Sequence, residues 1–246
     1  LYAPMSATGL VEAARADQAI AFPPIPDQVA TGVLGLSATA SSGLPVDFAV
    51  APGSPAQLAG GTNLSFTGPG TVGIVASQGG DGNWNPALNV TNTFNVAKAD
   101  QPPLMFTPAS PQVYNTTNAL TATGGGGTGA VSFSVLSGPG RIAGHSNLVI
   151  TSGAGQIVVV ASKSADAFYN AQSATGWVEA AKAAQAIAFP DPGSQVVTST
   201  VHLQATASSE LPVSFAVMGG PGVISNLTDL AFTGVGSVSL KASQAG

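Results

Sequence analysis

The sequence of 246 residues contains no cysteine, only two histidines and few charged side chains. Lys, Arg, Asp and Glu together make up 7% of the chain, whereas soluble domains average roughly 25%. The absence of cysteine excludes disulfides, thiolate metal sites and cysteine nucleophiles. The longest purely apolar run, Ile157 to Ala161, is far shorter than the roughly 20 residues that a membrane-spanning helix requires. No membrane span is therefore expected in this segment.

The few charges that are present also exclude several functions. A formal net charge of −5 and a pI near 4.6 leave no basic surface, so nucleic acid is not an expected partner. His145 and His202 stand at unrelated positions of the sequence, and no Ser-His-Asp order or pair of catalytic carboxylates can be assembled around them. We therefore expect no catalytic residue and no enzyme. The hydrophobic content of 44% is nevertheless too high for a disordered chain.

One unit of sequence occurs three times. The segment Leu36-Ser-Ala-Thr-Ala-Ser-Ser-Gly-Leu-Pro-Val46 returns as Leu203-Gln-Ala-Thr-Ala-Ser-Ser-Glu-Leu-Pro-Val213, and a looser copy begins at Leu120. The three leucines are 84 and 83 residues apart. Further landmarks keep a spacing of 81 to 85 residues: Phe22, Phe106 and Phe189; Phe48, Phe133 and Phe215; Phe66, Ile150 and Phe232; Ser77, Ser162 and Ser243. A fixed period of this kind indicates an array of repeated structural units.

Within each unit the hydrophobic residues alternate with small or polar ones. Val46, Phe48 and Val50 form one alternating run, and equivalent runs follow at short intervals between Gly-rich and Pro-rich turns. Alternation with a period of two indicates strands, and about seven short strands in a unit of this length are typical of an immunoglobulin-like sandwich. We predict an all-β chain of tandem immunoglobulin-like β-sandwiches. Because the junctions contain no central Gly or Pro, we expect them in a rod-like array.

The repeat also predicts where the units begin and end. Residues 1–15 are similar to residues 168–182, which close the second unit, and they share the run Ser-Ala-Thr-Gly-x-Val-Glu-Ala-Ala. We therefore expect residues 1–15 to be the last strand of a preceding or neighbouring unit. Repeat 1 then spans residues 16–98, repeat 2 spans 99–182, and repeat 3 spans 183–246 without its last strand.

An orphan strand and an incomplete sandwich suggest a site of assembly. The candidate residues are Leu1, Tyr2, Leu10 and Val11 on the orphan strand, with Val238, Leu240 and Ala242 on the open edge of repeat 3. Two explanations remain open. The chain is either a window of a longer array, or its orphan strand completes the sandwich of a neighbouring molecule by strand addition. A contact of the second kind does not close and would produce a filament. The expected partner is the chain itself or adjacent repeats, head-to-tail and side by side.

Several segments together resemble a known group of repeats. They are Lys98-Ala-Asp-Gln101, the Leu36 to Val46 segment, Thr67-Gly-Pro-Gly-Thr-Val72 and Ala76-Ser-Gln-Gly-Gly-Asp-Gly-Asn-Trp-Asn85. With them the whole chain resembles the bacterial Ig-like (MBG-like) tandem repeats of giant secreted and surface adhesin-type proteins. The resemblance implies an extracellular or cell-surface location, in bacteria, and a structural function in a filament or stalk. The alternative function is that of an adhesin binding module that recognises a glycan or another cell surface.

No cofactor and no metal site are expected, although calcium has weak support. Asp81-Gly-Asn-Trp-Asn85 presents oxygen atoms at alternating positions, as the start of a calcium loop does. No closing Glu follows, and the copy that begins at Asp166 loses most of these ligands. Asp17 and Asp100 at the junctions are also potential ligands, but the third junction carries Ala184.

Two further features of the sequence lead to expectations about the loops. Tyr2, Trp84 and Tyr169 share one position of the repeat, and we expect this aromatic side chain to pack beneath the turn before the last strand. In repeat 2 the run Gly124 to Gly127 replaces the Ser-Ser-Gly-Leu-Pro turn, so a longer and looser loop is expected there. Trp177 has no aromatic counterpart in the other units and is expected to be an exposed contact.

Overall fold

A computed structural model describes residues 1–246, and β-strands are the only regular secondary structure in them. There is accordingly no helix with the length and hydropathy to cross a membrane. The chain divides into two compact units, Leu1–Ala181 and Lys182–Gly246. The first unit contains repeats 1 and 2, and the second contains repeat 3.

Repeat 1 is a sandwich of two main sheets. Its strands are β1 (Ile20–Ala21), β2 (Gln28–Val29), β3 (Val33–Gly35), β4 (Thr39–Ala40), β5 (Asp47–Val50), β6 (Ala56–Ala59), β7 (Asn63–Phe66), β8 (Gly70–Ser77) and β9 (Val90–Ala97). One sheet has the order β2-β9-β8-β5, and the other has the order β3-β7-β6, with β1 paired to β4 beside it. All pairs are antiparallel except β2 with β9. This is the strand order of an immunoglobulin-like sandwich.

Repeat 2 has the same topology. Its strands are β10 (Leu104–Met105), β11 (Gln112–Val113), β12 (Thr117–Ala119), β13 (Thr123–Gly124), β14 (Val131–Ser137), β15 (Gly140–Ala143), β16 (Asn147–Ile150), β17 (Gln156–Lys163) and β18 (Gln172–Ala181). The sheets have the orders β11-β18-β17-β14 and β12-β16-β15, with β10 paired to β13. The parallel pair recurs as well, since Gln112 lies opposite Ala180 as Gln28 lies opposite Val96.

The first strand of each of these sandwiches is divided into two short pieces. In repeat 1 the segment Pro23-Pro24-Ile25-Pro26 separates β1 from β2. Because proline has no N–H to donate to a sheet, the chain leaves one sheet at these residues and joins the other. The second strand is also divided, into β3 and β4, here by Leu36-Ser-Ala38 and without a proline. The expected seven strands therefore appear as nine short ones.

The core of each repeat lies between its two sheets. In repeat 1, Leu64, Val72, Ile74 and Ala76 are fully buried, and in repeat 2 the same is true of Leu148, Ile157, Val159 and Ala161. The alternating positions of β8 and β17 thus face inward, as the sequence pattern predicts. A pair of tilted phenylalanine rings recurs in the three repeats at centroid distances of 5.3–5.4 Å: Phe22 with Phe48, Phe106 with Phe133, and Phe189 with Phe215.

Repeat 3 contains fewer strands. They are β19 (Ile187–Ala188), β20 (Thr200–His202), β21 (Thr206–Ala207), β22 (Ser214–Gly219), β23 (Gly222–Ser225), β24 (Asp229–Phe232) and β25 (Ser239–Ser243). The sheet β20-β24-β23 and the pair β19-β21 match those of the other repeats, but the second sheet consists of β22 and β25 alone. Two of the four strands that form this sheet in repeats 1 and 2 are therefore without a counterpart.

Candidate assembly site

The second sheet of repeat 2 shows how a complete unit is closed. Its last strand, β18, lies antiparallel to β17, with Val178 opposite Ile157 and Gly176 opposite Val159. On its other side β18 pairs in parallel with β11. Val178 is fully buried, and the strand therefore both completes the hydrogen bonding of its two neighbours and covers the core.

Repeat 1 is closed in the same register by different side chains. Strand β9 places Phe94 opposite Val72 and Asn92 opposite Ile74, so Phe94 occupies the position that Val178 has in repeat 2. Phe94 is buried and packs edge-on against Phe66, with the ring centroids 6.1 Å apart. The slot for the last strand thus accepts either a small or a large apolar side chain.

In repeat 3 this slot is open. No strand pairs with the free edge of β25, which leaves its backbone N–H and C=O groups on that side without sheet partners. Val238, Leu240 and Ala242 are half-buried, whereas their counterparts in repeats 1 and 2 are fully buried. A cleft of about 630 Å³ runs along this edge. Leu240 and Ala242 lie on β25 and Val238 immediately precedes it, and Val238 and Leu240 line the cleft.

The floor and the far wall of the cleft come from distant parts of repeat 3. Leu230 and Phe232 of β24 line it together with Val238 and Leu240, and the segment from Asp191 to Val197 forms the opposite wall. The counterparts of Phe232, which are Phe66 and Ile150, are buried, but Phe232 itself is half-exposed. The cleft is thus the uncovered side of the core of repeat 3.

The far wall corresponds to the parallel edge strand of the other repeats. Gln195 and Val196 stand where Gln112 and Val113 form β11. In repeat 2, β11 is held by its pairing with β18 and by a bond from the N–H of Tyr114 to the carbonyl of Ala181. Gln195 and Val196 form no strand and are exposed, and no strand pairs with them.

Residues 1–15 lie outside every sheet. Leu1, Tyr2, Met5, Leu10 and Val11 are almost fully exposed, with Leu10 at 102% and Val11 at 95%. The first pairing of the chain with a sandwich is the bridge between Ala16 and Trp84. The segment therefore carries apolar side chains without cover, and one of them, Val11, corresponds to a residue that is fully buried in repeat 2, Val178.

The equivalent strand divides the predicted assembly residues into two groups. Val11 corresponds to the buried Val178, whereas Leu10 corresponds to Trp177, which is 58% exposed on the outer face of β18. The other inward positions of β18 are Ala174, Gly176 and Ala180, whose counterparts are Ala7, Gly9 and Ala13. Hydrophobicity alone does not identify these three residues because they are small, although the shared run Ser-Ala-Thr-Gly-x-Val-Glu-Ala-Ala contains all of them.

Leu1 and Tyr2 correspond to residues that make other contacts. The counterpart of Leu1 is Phe168, which packs against the core of repeat 1 and so joins the two repeats of the first unit. The counterpart of Tyr2 is Tyr169, whose ring lies beside Gly126, since a Cβ there would be 2.8 Å from the ring. Phe168 and Tyr169 both belong to the turn before β18 rather than to β18 itself.

The Gly124 to Gly127 loop is packed against this turn rather than loose. The N–H of Gly126 donates to Oε1 of Gln101 at 3.2 Å, and the N–H of Thr128 donates to Oδ2 of Asp166 at 2.6 Å. A side chain at Gly125, Gly126 or Gly127 would collide with Lys163, Tyr169 or Asp166. The glycines thus allow the loop to approach the turn closely.

The carboxylates considered for calcium are engaged with the protein itself. Oδ1 of Asp81 accepts the N–H groups of Asn83 and Trp84. At the junctions, Asn85 donates to Asp17 and Asn170 donates to Asp100, each at 2.9 Å. No three His, Cys, Asp or Glu side chains come together as a metal site requires.

One histidine has a carboxylate partner that sequence spacing did not reveal. Nδ1 of His202 on β20 lies 2.8 Å from Oδ1 of Asp229 on the neighbouring strand β24. The bond to His202 is the largest factor that lowers the pKa of Asp229, and a bond from Asn226 adds to it. The histidine side chain is 62% exposed, so the pair is an exposed cross-strand contact.

No family model and no curated protein match the sequence, and the similarities that exist are to solved structures. Among solved structures, repeats EC22–24 of mouse cadherin-23 are 12% identical with a TM-score of 0.32, and 88% of each chain is covered. Titin fragment I67–I69 is 14% identical with a TM-score of 0.31, covering 94% of this chain and 95% of titin's. The D00–D0 domains of intimin are 16% identical with a TM-score of 0.27, covering 66% and 98%.

Proposed function

We propose that this chain is part of a structural extracellular protein in which tandem Ig-like repeats build a filament or a cell-surface stalk. The observation that carries the proposal is the recurrence of one structural unit along the chain. The same phenylalanine pair lies in all three cores, and the same strand register recurs in repeats 1 and 2. Stacked copies of one unit serve to span distance, and they need no individual site in each copy.

The way in which repeats 1 and 2 are joined supports a load-bearing role. Phe168 of repeat 2 packs against the core of repeat 1. Gln101, just after the junction, is buried and donates to the carbonyls of Ser164 and Asn170 within repeat 2 at 3.1 and 2.7 Å, which fixes the start of that repeat to the turn that carries Phe168. A junction held by apolar packing resists bending better than a flexible linker does.

The low charge supports a role in an assembly. A surface with few Lys and Glu residues is poorly suited to a freely dispersed protein, but it loses little hydration energy when it packs against other repeats. Within this function we propose that repeat 3 is completed by a strand supplied from outside it, as in donor-strand complementation. The resemblance to bacterial Ig-like repeats supports the surface of a bacterium as the location.

Electron microscopy of the undisrupted source tests the proposed function. Gold-labelled antibodies raised against the purified chain are applied to intact producing cells and to thin sections of the same cells. We expect label along filaments or stalks that project from the cell surface. Label confined to the cell interior would contradict the proposal. Label only at points of contact between cells would instead favour the alternative, an adhesin binding module.

A further inference from the structure

From the contacts between repeats 1 and 2 we infer that residues 166–170, the joint turn, fix the orientation of repeat 2 relative to repeat 1. Phe168 is the anchor of this turn, and the Gly124 to Gly127 loop braces it. All the contacts involved lie inside the compact unit Leu1–Ala181. The inference rests on the proposed function, because a stiff joint serves a stalk or a filament, and it adds the residues that make this joint stiff.

The chain itself provides the first connection between the two repeats. Strand β9 of repeat 1 ends at Ala97, and Ala99 is already bonded to the joint turn. Its N–H donates to the carbonyl of Phe168 at 2.8 Å, and its carbonyl accepts the N–H of Asn170 at 2.9 Å. Lys98 alone lies between these two fixed points. Because a residue has two soft backbone dihedrals, so short a link still allows repeat 2 to turn about Lys98.

Phe168 provides the second connection. Its ring packs against the buried core cluster of repeat 1, to which Ala30 and Val96 belong. The N–H of Ala30 donates to the carbonyl of Ala97 at 2.8 Å, at the point where β9 ends. Rotation of repeat 2 about the link would pull the ring out of this contact and return apolar surface to water, which is unfavourable. The link and the ring together therefore define one orientation.

The joint turn has an equivalent of the same geometry in repeat 1. In each of the two turns Oδ1 of the leading aspartate, Asp81 or Asp166, accepts the N–H groups two and three residues further on at 2.8–2.9 Å. The third position is occupied by the exposed Asn83 in repeat 1 and by the half-buried Phe168 in repeat 2. An apolar ring gains from burial at this place, whereas an amide without a partner would lose its hydration. Phe168 is thus a feature of this joint and not of the repeat as such.

Repeat 2 also supports the turn from behind. Oδ2 of Asp166 accepts the N–H of Thr128 at 2.6 Å, and the ring of Tyr169 lies so close to Gly126 that a Cβ there would be 2.8 Å from it. In repeat 1 the leading aspartate accepts only the N–H groups of its own turn. The two departures of repeat 2 from the common pattern, the glycine run and Phe168, therefore act on one and the same turn.

The distance between two spin labels tests the anchor. The chain has no cysteine, so labels attach only at introduced thiols. Gln57→Cys on β6 and Arg141→Cys on β15 place them at equivalent exposed positions of repeats 1 and 2. By double electron–electron resonance on labelled chains diluted in unlabelled ones, we expect one narrow distance peak. Phe168→Asn, which copies the residue of repeat 1, should lose this peak and give a broad distribution. Phe168→Leu keeps an apolar side chain and should retain it.

A second pair of variants tests the brace. In Asp166→Asn the side-chain oxygen can still accept the N–H groups within the turn, but the NH₂ group cannot accept the N–H of Thr128. We therefore expect the peak to broaden although Phe168 is in place. Asp81→Asn is the matched control, since it makes the same change in the turn that is bridged to Ala16 at the start of repeat 1, and it should leave the peak narrow.

The possible outcomes separate the two parts of the inference. A narrow peak in Phe168→Asn would overturn the anchor, and equal widths in Asp166→Asn and Asp81→Asn would overturn the brace. Amide spectra distinguish a loose joint from an unfolded repeat, because Phe168 packs against the core of repeat 1 and is not part of the core of repeat 2. Loss of the dispersed amide resonances of either repeat in Phe168→Asn would also overturn the anchor, since the residue would then hold a core together and not a joint.

Failure of this inference and failure of the proposed function give different results. If Phe168→Asn keeps the narrow peak while gold label follows surface filaments, the repeats are structural and their joint is held in another way. If Phe168→Asn loses the peak while label is confined to the cell interior, the joint stands and the extracellular role fails. The two experiments therefore report on separate claims.

Discussion

Asp166 holds two loops of repeat 2 together through one carboxylate. Oδ2 accepts the N–H of Thr128, which follows the Gly run, and Oδ1 accepts the N–H groups of Phe168 and Tyr169 in the turn before β18. The sequence shows that an Asp begins this turn, but it does not show that the glycine run reaches it. The two segments are 38 residues apart, and their contact depends on glycines whose close packing has no periodic signature.

The pH dependence of this contact follows from the pKa of Asp166. The backbone bond from Thr128, followed by those from Phe168 and Tyr169, lowers this pKa from 3.8 to about 2. Because the folded-state pKa is the lower one, the stabilisation is fully present above about pH 4 and is lost as the pH falls towards 2. In an NMR titration we expect the amide resonances of Thr128 and Tyr169 to shift with a midpoint near 2.

The control for this titration is Asp166→Asn, in which the resonances should show no such step. Asp81→Asn changes the equivalent turn of repeat 1 and should leave the titration of Thr128 intact. A midpoint at the ordinary value of 3.8 in the parent chain would contradict the proposed contact.

At the scale of single strands, the last strand decides how deeply its neighbour is buried. Ile74 of β8 is fully buried under β9, but Leu240 occupies the same place on β25 and is half-exposed. We expect Ile74→Ala to lower the free energy of unfolding of its repeat by about 2–5 kcal/mol. Leu240→Ala should lower it by only about 1 kcal/mol, because much of that side chain remains in water.

Urea unfolding of dispersed chains at low concentration measures both values. Burial of Leu240 by a partner would enlarge its effect, so the measurement must be made where ultracentrifugation shows single molecules. If Ile74→Ala and Leu240→Ala lowered the free energy of unfolding equally, the edge of β25 would have to be covered within one chain, contrary to the structure.

The sequence predicts the inner strands better than the edge strands. Alternation at Val72, Ile74 and Ala76 identifies both the strand and its buried face, and these residues are fully buried. By contrast, β2 and β11 are two residues long and show no alternation. They exist because the last strand of the repeat, about 70 residues further along, lies beside them.

The candidate site was predictable to the same extent. Alignment of equivalent positions in the three repeats is enough to identify Val238, Leu240 and Ala242, and also Val11. The floor at Phe232 and the wall from Asp191 to Val197 required the structure, because no local pattern shows which distant segments meet. The outward orientation of Leu10 likewise follows only from the geometry of β18.

At the scale of the whole molecule, the two compact units differ in completeness. Repeat 3, in Lys182–Gly246, has an uncovered core and a two-stranded second sheet, and a small unit with little buried surface has little stability. We expect it to unfold first, at a lower urea concentration than Leu1–Ala181. Hydrogen exchange followed by mass spectrometry should show β25 exchanging faster than β17 in dispersed chains. One cooperative transition for both units, with equal protection of these two strands, would contradict this order of unfolding.

The parallel pairing of the first and last strands also determines how a complete repeat responds to force. In repeat 2, β11 is the second piece of the divided first strand and β18 is the last strand, and these two run side by side in the same direction. A pull on the two ends of such a pair draws the strands past each other, so their hydrogen bonds are loaded together in shear and do not open one after another. Repeat 3 has no such pair of its own. A strand received from a neighbour would create it, and the joint between two molecules would then carry tension in the same way as the inside of each repeat.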